Sequence, residues 1–123
     1  MEISFDLSLP IDFDKGIKGI GDEDTFYSIM EGFEDMTLAK NLMNMKEQIE
    51  NSNYPELRGE AHSLKGASGY LAAGRLHQLS EKIQKSIDSH DTNTAINLYP
   101  RLIEESIYLK LFIKKTLSKK KSK

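Results

Sequence analysis

The sequence has no cysteine. That absence excludes disulfide staples, thiol nucleophiles and Cys-ligated zinc. It also lacks any apolar run of 18 residues, so a membrane-crossing helix is not expected. The opening stretch Met1-Glu2-Ile3-Ser4-Phe5-Asp6 is acidic and has no apolar h-region, which argues against a signal peptide. Together these absences lead us to expect a cytoplasmic protein. Further absences limit the chemistry. The three histidines, His62, His77 and His90, do not fall at metal-ligand spacing, and there is no H-E-x-x-H pattern. No P-loop is present and no Ser/His/Asp set can be singled out. At 123 residues the chain fits one domain with one core, too little for a kinase catalytic domain joined to a second domain.

What is there is charge and helical periodicity. Charged residues make up 29% of the chain and hydrophobic residues 38%, values that suit a small helical protein. The charge is polarised, with 14 acids and 5 bases in residues 1–60 and 5 acids and 12 bases in residues 61–123. Six lysines fall in the last ten residues. Such a tail can touch nucleic acid or anionic lipid. The plainer reading is preferred: a solvated helix end whose cations complement the helix dipole, with no interleaved aromatics to stack on bases. Neither a nucleic acid nor a membrane is therefore expected as partner.

Asp22-Glu23-Asp24 marks a helix start, followed by Phe26, Ile29, Met30 and Phe33 at helical spacing. After a break near Asp35-Met36-Thr37, Leu38, Leu42, Met45 and Ile49 form a second stripe. Asn51-Ser52-Asn53 is a turn, and Asn53 with Glu56 resembles a capping box, Pro55 being tolerated in the first turn. That helix runs to about Leu71. Beyond a loop containing Gly74, Leu76, Leu79, Ile83 and Ile87 mark another helix, ended by Ser89-His90-Asp91. A last segment spans about Thr92 to Leu117, with Leu98, Leu102, Leu109 and Phe112 or Ile113 on one side, and Pro100 should kink or split it. Ahead of all this, Leu9-Pro10-Ile11-Asp12-Phe13-Asp14 and Gly16, Gly19 and Gly21 suggest an extended lead-in with about one helical turn. Short loops favour antiparallel neighbours. The expected fold is all-α: an antiparallel up-down four-helix bundle over residues 22–117, with a lead-in at 1–21, a long kinked C-terminal helix and a Lys-rich tail at 118–123.

The helix from 53 to 71 carries the functional argument. Leu57, Ala61, Leu64, Ser68 and Leu71 share one stripe, which must face the core. His62 lies roughly opposite, with Arg58, Lys65, Gly66 and Gly69 on the same outer face. Two helix-interior glycines cost about 1 kcal/mol each relative to alanine. Pointing outward, they supply a flat patch beside the histidine rather than core packing. Neutral imidazole is a good nucleophile near pH 7. A neighbouring lysine can offset the charge of a group attached to it. An ordinary surface histidine beside two accidental glycines is the competing reading on spacing alone.

His62-Ser63-Leu64-Lys65-Gly66-Ala67-Ser68-Gly69, followed by Leu71 and Leu76, resembles the core motif of histidine-containing phosphotransfer domains. Ile11-Asp12-Phe13, Gly21-Asp22-Glu23 and Asn53-Tyr54 resemble the flanking pattern of that family, so the likeness covers roughly residues 10–117. The resemblance implies that His62 is phosphorylated, at Nε2, and that Lys65 steadies the phosphate. It implies that Gly66 and Gly69 leave room for a receiver domain, and Arg58, by its place on the same outer face, is expected on that docking surface. Gln84, 22 residues after His62, matches a position that hydrogen-bonds the other imidazole nitrogen; a plain solvated glutamine is the alternative. Where the family usually has glycine this chain has Ala72, with the glycine displaced to Gly74, so the loop there is expected to differ in shape.

The implied function is a phosphocarrier of a multistep two-component phosphorelay, not an enzyme, exchanging a phosphoryl group with the aspartate of receiver domains in response regulators or hybrid histidine kinases. No cofactor is expected on the chain, Mg²⁺ belonging to the receiver, and a monomer is expected. Arg58, Lys65, Arg75 and Lys85 would complement that acidic partner. His77 and His90 read as surface residues. Two alternatives stay open: the N-terminal phosphotransfer domain of a chemotaxis-type kinase, where glutamate typically replaces Gln84, and a non-phosphorylated interaction module of the same fold.

Overall fold

The computed structural model describes residues 5–34 and 38–121. The break expected at Asp35-Met36-Thr37 and the final tail residues lie outside them. Among the described residues there are six helices and no strand: α1 (Phe13–Ile20), α2 (Glu23–Gly32), α3 (Leu38–Glu50), α4 (Tyr54–Tyr70), α5 (Gly74–Asp88) and α6 (Thr92–Lys121). The all-helical class is as expected. Helix α4 packs between α3 and α5, and α6 lies mainly along α5.

The lead-in holds more helix than one turn. Asp12 caps α1 by accepting from the Lys15 amide, and Gly21 ends it at φ +91°, a left-handed value that favours glycine. Gly16 is buried because the Phe26 ring packs directly on its Cα, leaving no room for a Cβ. Asp22 caps α2 through the amide and hydroxyl of Thr25. Asn53 stands at the N-cap of α4 but makes no side-chain cap bond. Pro55 explains part of this, since it removes one of the amides that such a cap would serve.

The stripe expected on α4 is the centre of the core: Leu57, Ala61, Leu64, Ser68 and Leu71 are all fully buried. Each of the three leucines contributes about 1.5–3 kcal/mol by leaving water. Ser68 satisfies its hydroxyl by donating to Leu64 O at 2.7 Å. Phe26, Met30, Phe33, Leu38, Met45, Leu76, Ile83, Leu102, Leu109 and Ile113 complete the interior, with Leu42, Ile49, Leu79, Ile87 and Leu98 half-buried at its edge. Pro100 does not split α6, which continues from Thr92 to Lys121. Proline removes one ladder bond, and the apolar contacts of Leu98 and Leu102 on either side hold the helix together across it. The helix also runs past residue 117, where Lys120 sits 4.0 Å from the Tyr27 ring centre and 3.5 Å from Asp24.

Gly74 is the first residue of α5 rather than part of a loop, and it is buried. A Cβ there would stand 2.7 Å from Phe5 and from Leu7, so the glycine lets the N-terminal strap lie on the α4–α5 turn. Arg75 fastens that strap by donating to Leu7 O at 2.8 Å and Ser8 O at 2.9 Å, with Glu105 at 3.7 Å behind it. Ala72, in the turn, adopts φ +58° and is buried, and its carbonyl accepts from the Asp12 amide at 2.8 Å. The left-handed conformation that glycine would favour is thus kept with an alanine.

Candidate functional site

The buried stripe of α4 fixes what its other side shows. His62, one residue beyond the buried Ala61, is exposed, as is Gly66 one turn on. Across from this face lies α5, and side-chain contacts join the two like rungs. Arg58 pairs with Asp88 through Nε and, at 3.4 Å, through Nη2. His62 Nδ1 lies 3.1 Å from Gln84 Oε1. Lys65 Nζ lies 3.3 Å from Glu81 Oε2. His77 Nδ1 donates to the Lys65 carbonyl at 2.9 Å. In the first three of these contacts each step up α4 matches an equal step down α5, so the two helices run antiparallel in one register.

His62, Lys65, Gly66, Gly69, Tyr70 and His77 line a surface cleft of about 290 Å³. The two glycines differ in what surrounds them. A Cβ at Gly66 would meet nothing within 4 Å. One at Gly69 would come 3.3 Å from His77 Nδ1, so Gly69 makes room for a second histidine of this chain. Phe5 packs edge-on against that His77 ring, with centroids 5.9 Å apart. Tyr70, at the rim, is 71% exposed.

The positive charge expected around His62 is largely answered within the chain. Asp88 neutralises Arg58, and Glu81 takes both Lys65 and Lys85, the latter at 2.9 Å. Glu105 stands by Arg75. A hydrogen bond from Lys85, with a further one from Lys65, holds the Glu81 carboxyl below its ordinary range despite partial burial. Arg58 does the same for Asp88, with help from the Gln84 amide.

The structure therefore brings His62, Lys65, Gly66, Gly69 and Gln84 to one cleft and its rim, with Arg58 one turn away at the end of the ladder. Sequence reasoning missed Glu81, Asp88, Tyr70 and the inward role of His77; His90, exposed at φ +61° just past the end of α5, is as peripheral as expected. The signal for three of these was present. Once Gln84 is set against His62, an antiparallel register puts Asp88 against Arg58, Glu81 against Lys65 and His77 against Gly69. Among the described residues, no group of three His, Cys, Asp or Glu could hold a metal ion, and no helix is long and apolar enough to cross a membrane.

The family model of the Hpt domain matches residues 34–116, more than half of the chain. Neither a curated protein nor a solved structure matches it.

Proposed function

The chain belongs to the Hpt domain family, whose members carry phosphoryl groups in two-component phosphorelays, and from that membership we propose that His62 is its phosphoryl acceptor. One observation carries the assignment: His62 is exposed on a cleft while its Nδ1 is engaged by Gln84 at 3.1 Å, which leaves Nε2 for the phosphorus. The lone pair of Nε2 forms the N–P bond as the P–O bond to the donor's aspartate breaks. The electron pair of that bond leaves with the aspartate carboxylate. Nδ1 keeps its proton, and the positive charge that develops on the ring is shared with the acceptor oxygen of Gln84. The reverse of these steps returns the group to a receiver.

Lys65 is the cation within reach of the phosphoryl oxygens, and it would exchange Glu81 for them. Gly66 leaves the approach open. Arg58 and Gly69 border the docking surface, Gly69 by seating His77. Mg²⁺ belongs on the receiver in this reading, and the chain acts as a monomeric carrier without catalytic machinery of its own. Helices α3–α6 form its antiparallel bundle, with a bend at Pro100. Gln84 rather than glutamate beside His62 favours a relay intermediate over a chemotaxis-type kinase domain.

The test is incubation with a small-molecule phosphodonor and with a hybrid kinase, followed by intact-mass measurement. One acid-labile, alkali-stable phosphoryl group is expected on the wild type and none on His62→Gln. A His62→Gln protein that accepts phosphate at the normal rate overturns the assignment.

A further inference from the structure

We infer that Arg58 and Asp88 are positioning residues that set the tautomer of His62 through the side-chain amide of Gln84. The inference rests on the reading of His62 as acceptor only for its effect on rate. An amide's oxygen and nitrogen have nearly the same shape, so the orientation of Gln84 must come from its partners. On one side stands Asp88. Its carboxylate is pinned by the Arg58 guanidinium through two contacts, one of them at 3.4 Å. An ionised carboxylate only accepts hydrogen bonds. Gln84 stands one turn before Asp88 on α5, where a glutamine and an aspartate can share a hydrogen bond, so its amide nitrogen must be the end that serves the carboxylate; Gln84 accordingly helps Arg58 hold that carboxyl below its ordinary range.

The amide oxygen is then turned toward His62, 3.1 Å from Nδ1. An amide oxygen also only accepts, so Nδ1 must carry the ring proton and Nε2 the lone pair. The chain of constraint runs from guanidinium to carboxylate to amide to imidazole, over one turn of α4 and one turn of α5. Every link excludes one donor–acceptor assignment. Without Asp88, Gln84 is free to turn its NH₂ toward the ring. Nδ1 would then accept, the proton would move to Nε2, and the atom that must attack phosphorus would be blocked. Neither Arg58 nor Asp88 touches the phosphoryl group in this scheme.

The experiment is a long-range ¹H–¹⁵N correlation spectrum of the histidine ring nitrogens above pH 7.5, with the phosphorylation rate from phosphoramidate measured on the same samples. Wild type is expected to show His62 as the Nδ1–H form. In Asp88→Ala the tautomer ratio should move toward Nε2–H by about 2- to 10-fold, the weight of one hydrogen bond, and the rate should fall with it. Arg58→Ala, which leaves the carboxylate in place but unpinned, should move both in the same direction by less. Asp88→Glu should restore part of each. Both residues are substantially exposed, so their loss should spare the fold; a helical circular dichroism spectrum checks this, and Arg58→Ala decides the matter if Asp88→Ala unfolds. An unchanged Nδ1–H signal in a folded Asp88→Ala protein, or Nε2–H in the wild type, overturns the inference. A shifted tautomer in a protein that no donor phosphorylates supports the inference and removes the acceptor reading instead.

Discussion

Gly66 and Gly69 should respond differently to the same small change. Each sits inside α4, where glycine costs about 0.8–1 kcal/mol against alanine. At Gly66 a methyl group meets nothing within 4 Å, so Gly66→Ala should recover that whole amount. For a chain of this size the gain corresponds to a melting temperature higher by about 3–4 °C. At Gly69 the methyl group comes 3.3 Å from His77 Nδ1, the atom that donates to the Lys65 carbonyl. His77 must shift by some tenths of an ångström. A weakened hydrogen bond of about 0.5–1.5 kcal/mol cancels the helix gain. Gly69→Ala should therefore melt close to wild type. A longer side chain separates folding from function: Gly66→Gln should keep or slightly raise stability while covering the approach to His62. In-line attack needs the reacting atoms about 3–3.5 Å apart, and ~1 Å of misplacement costs on the order of 100-fold. Transfer to a receiver should fall by that order, and phosphorylation by phosphoramidate much less. Melting curves and the two rates are the assay. A Gly66→Ala protein that melts below wild type refutes the open-face argument, and a Gly66→Gln protein that transfers normally places docking elsewhere.

Lys65→Ala should slow phosphotransfer and cost no more than about 1 kcal/mol near neutral pH, as partly exposed ion pairs do. Its cost has a pH signature. Glu81 has its carboxyl held below the ordinary value of 4.5, chiefly by Lys85 and then by Lys65, so the pairing adds stability above that pH and loses it as pH falls through the lowered value. Urea melts of Lys65→Ala and wild type should converge as the pH falls through the lowered value of Glu81; a gap that persists once Glu81 is protonated shows another role for Lys65. Ser52 holds φ +53° on the exposed α3–α4 turn, and Ser52→Gly should raise stability by about 0.5–1 kcal/mol, read by thermal melting, with a drop refuting the strain argument. Gly74→Ala should loosen the strap at Phe5 and Leu7 and cost about 1–3 kcal/mol by overpacking. Limited proteolysis within residues 5–9 is the check, and an unchanged cleavage rate would refute the packing argument.

Much of α4 could be read in the sequence because one helix face follows from spacing alone. Four of the stripe positions are the four fully buried residues of α4, and the fifth, Leu71, is buried just past its end. The neighbourhood of His62 was only half legible for a different reason. Spacing says what shares a face of one helix, whereas Glu81, Asp88 and His77 enter through the register between two helices. That register needs one cross-helix contact to fix it, and Gln84 supplies it. Within the lead-in, spacing suggests only about one helical turn because Gly16, Gly19 and Gly21 look like helix breakers, whereas α1 runs from Phe13 to Ile20. Gly16 is instead a contact surface for Phe26, and only Gly21 uses its conformational freedom. The charge around His62 was over-read, since counting cations on a face ignores the acids across from them.

The three-residue turn between α4 and α5 differs in kind from its neighbours. Leu71, Ala72 and Ala73 are all buried, whereas residues 51–53 and 89–91 are all exposed. The amides of Ala72 and Ala73 return to Gly69 O and Ser68 O, and the carbonyl of Ala72 is taken by Asp12. Loop entropy alone would tolerate extra length at any of the three sites, at about 0.6 kcal/mol per doubling. At 71–73, however, added residues would break those bonds and slide α5 against α4, carrying Gln84 away from His62. New chain ends, a fluorescent insert or a circularly permuted design therefore belong at 51–53 or 89–91, where the helices on either side can be cut apart without changing which residues face each other.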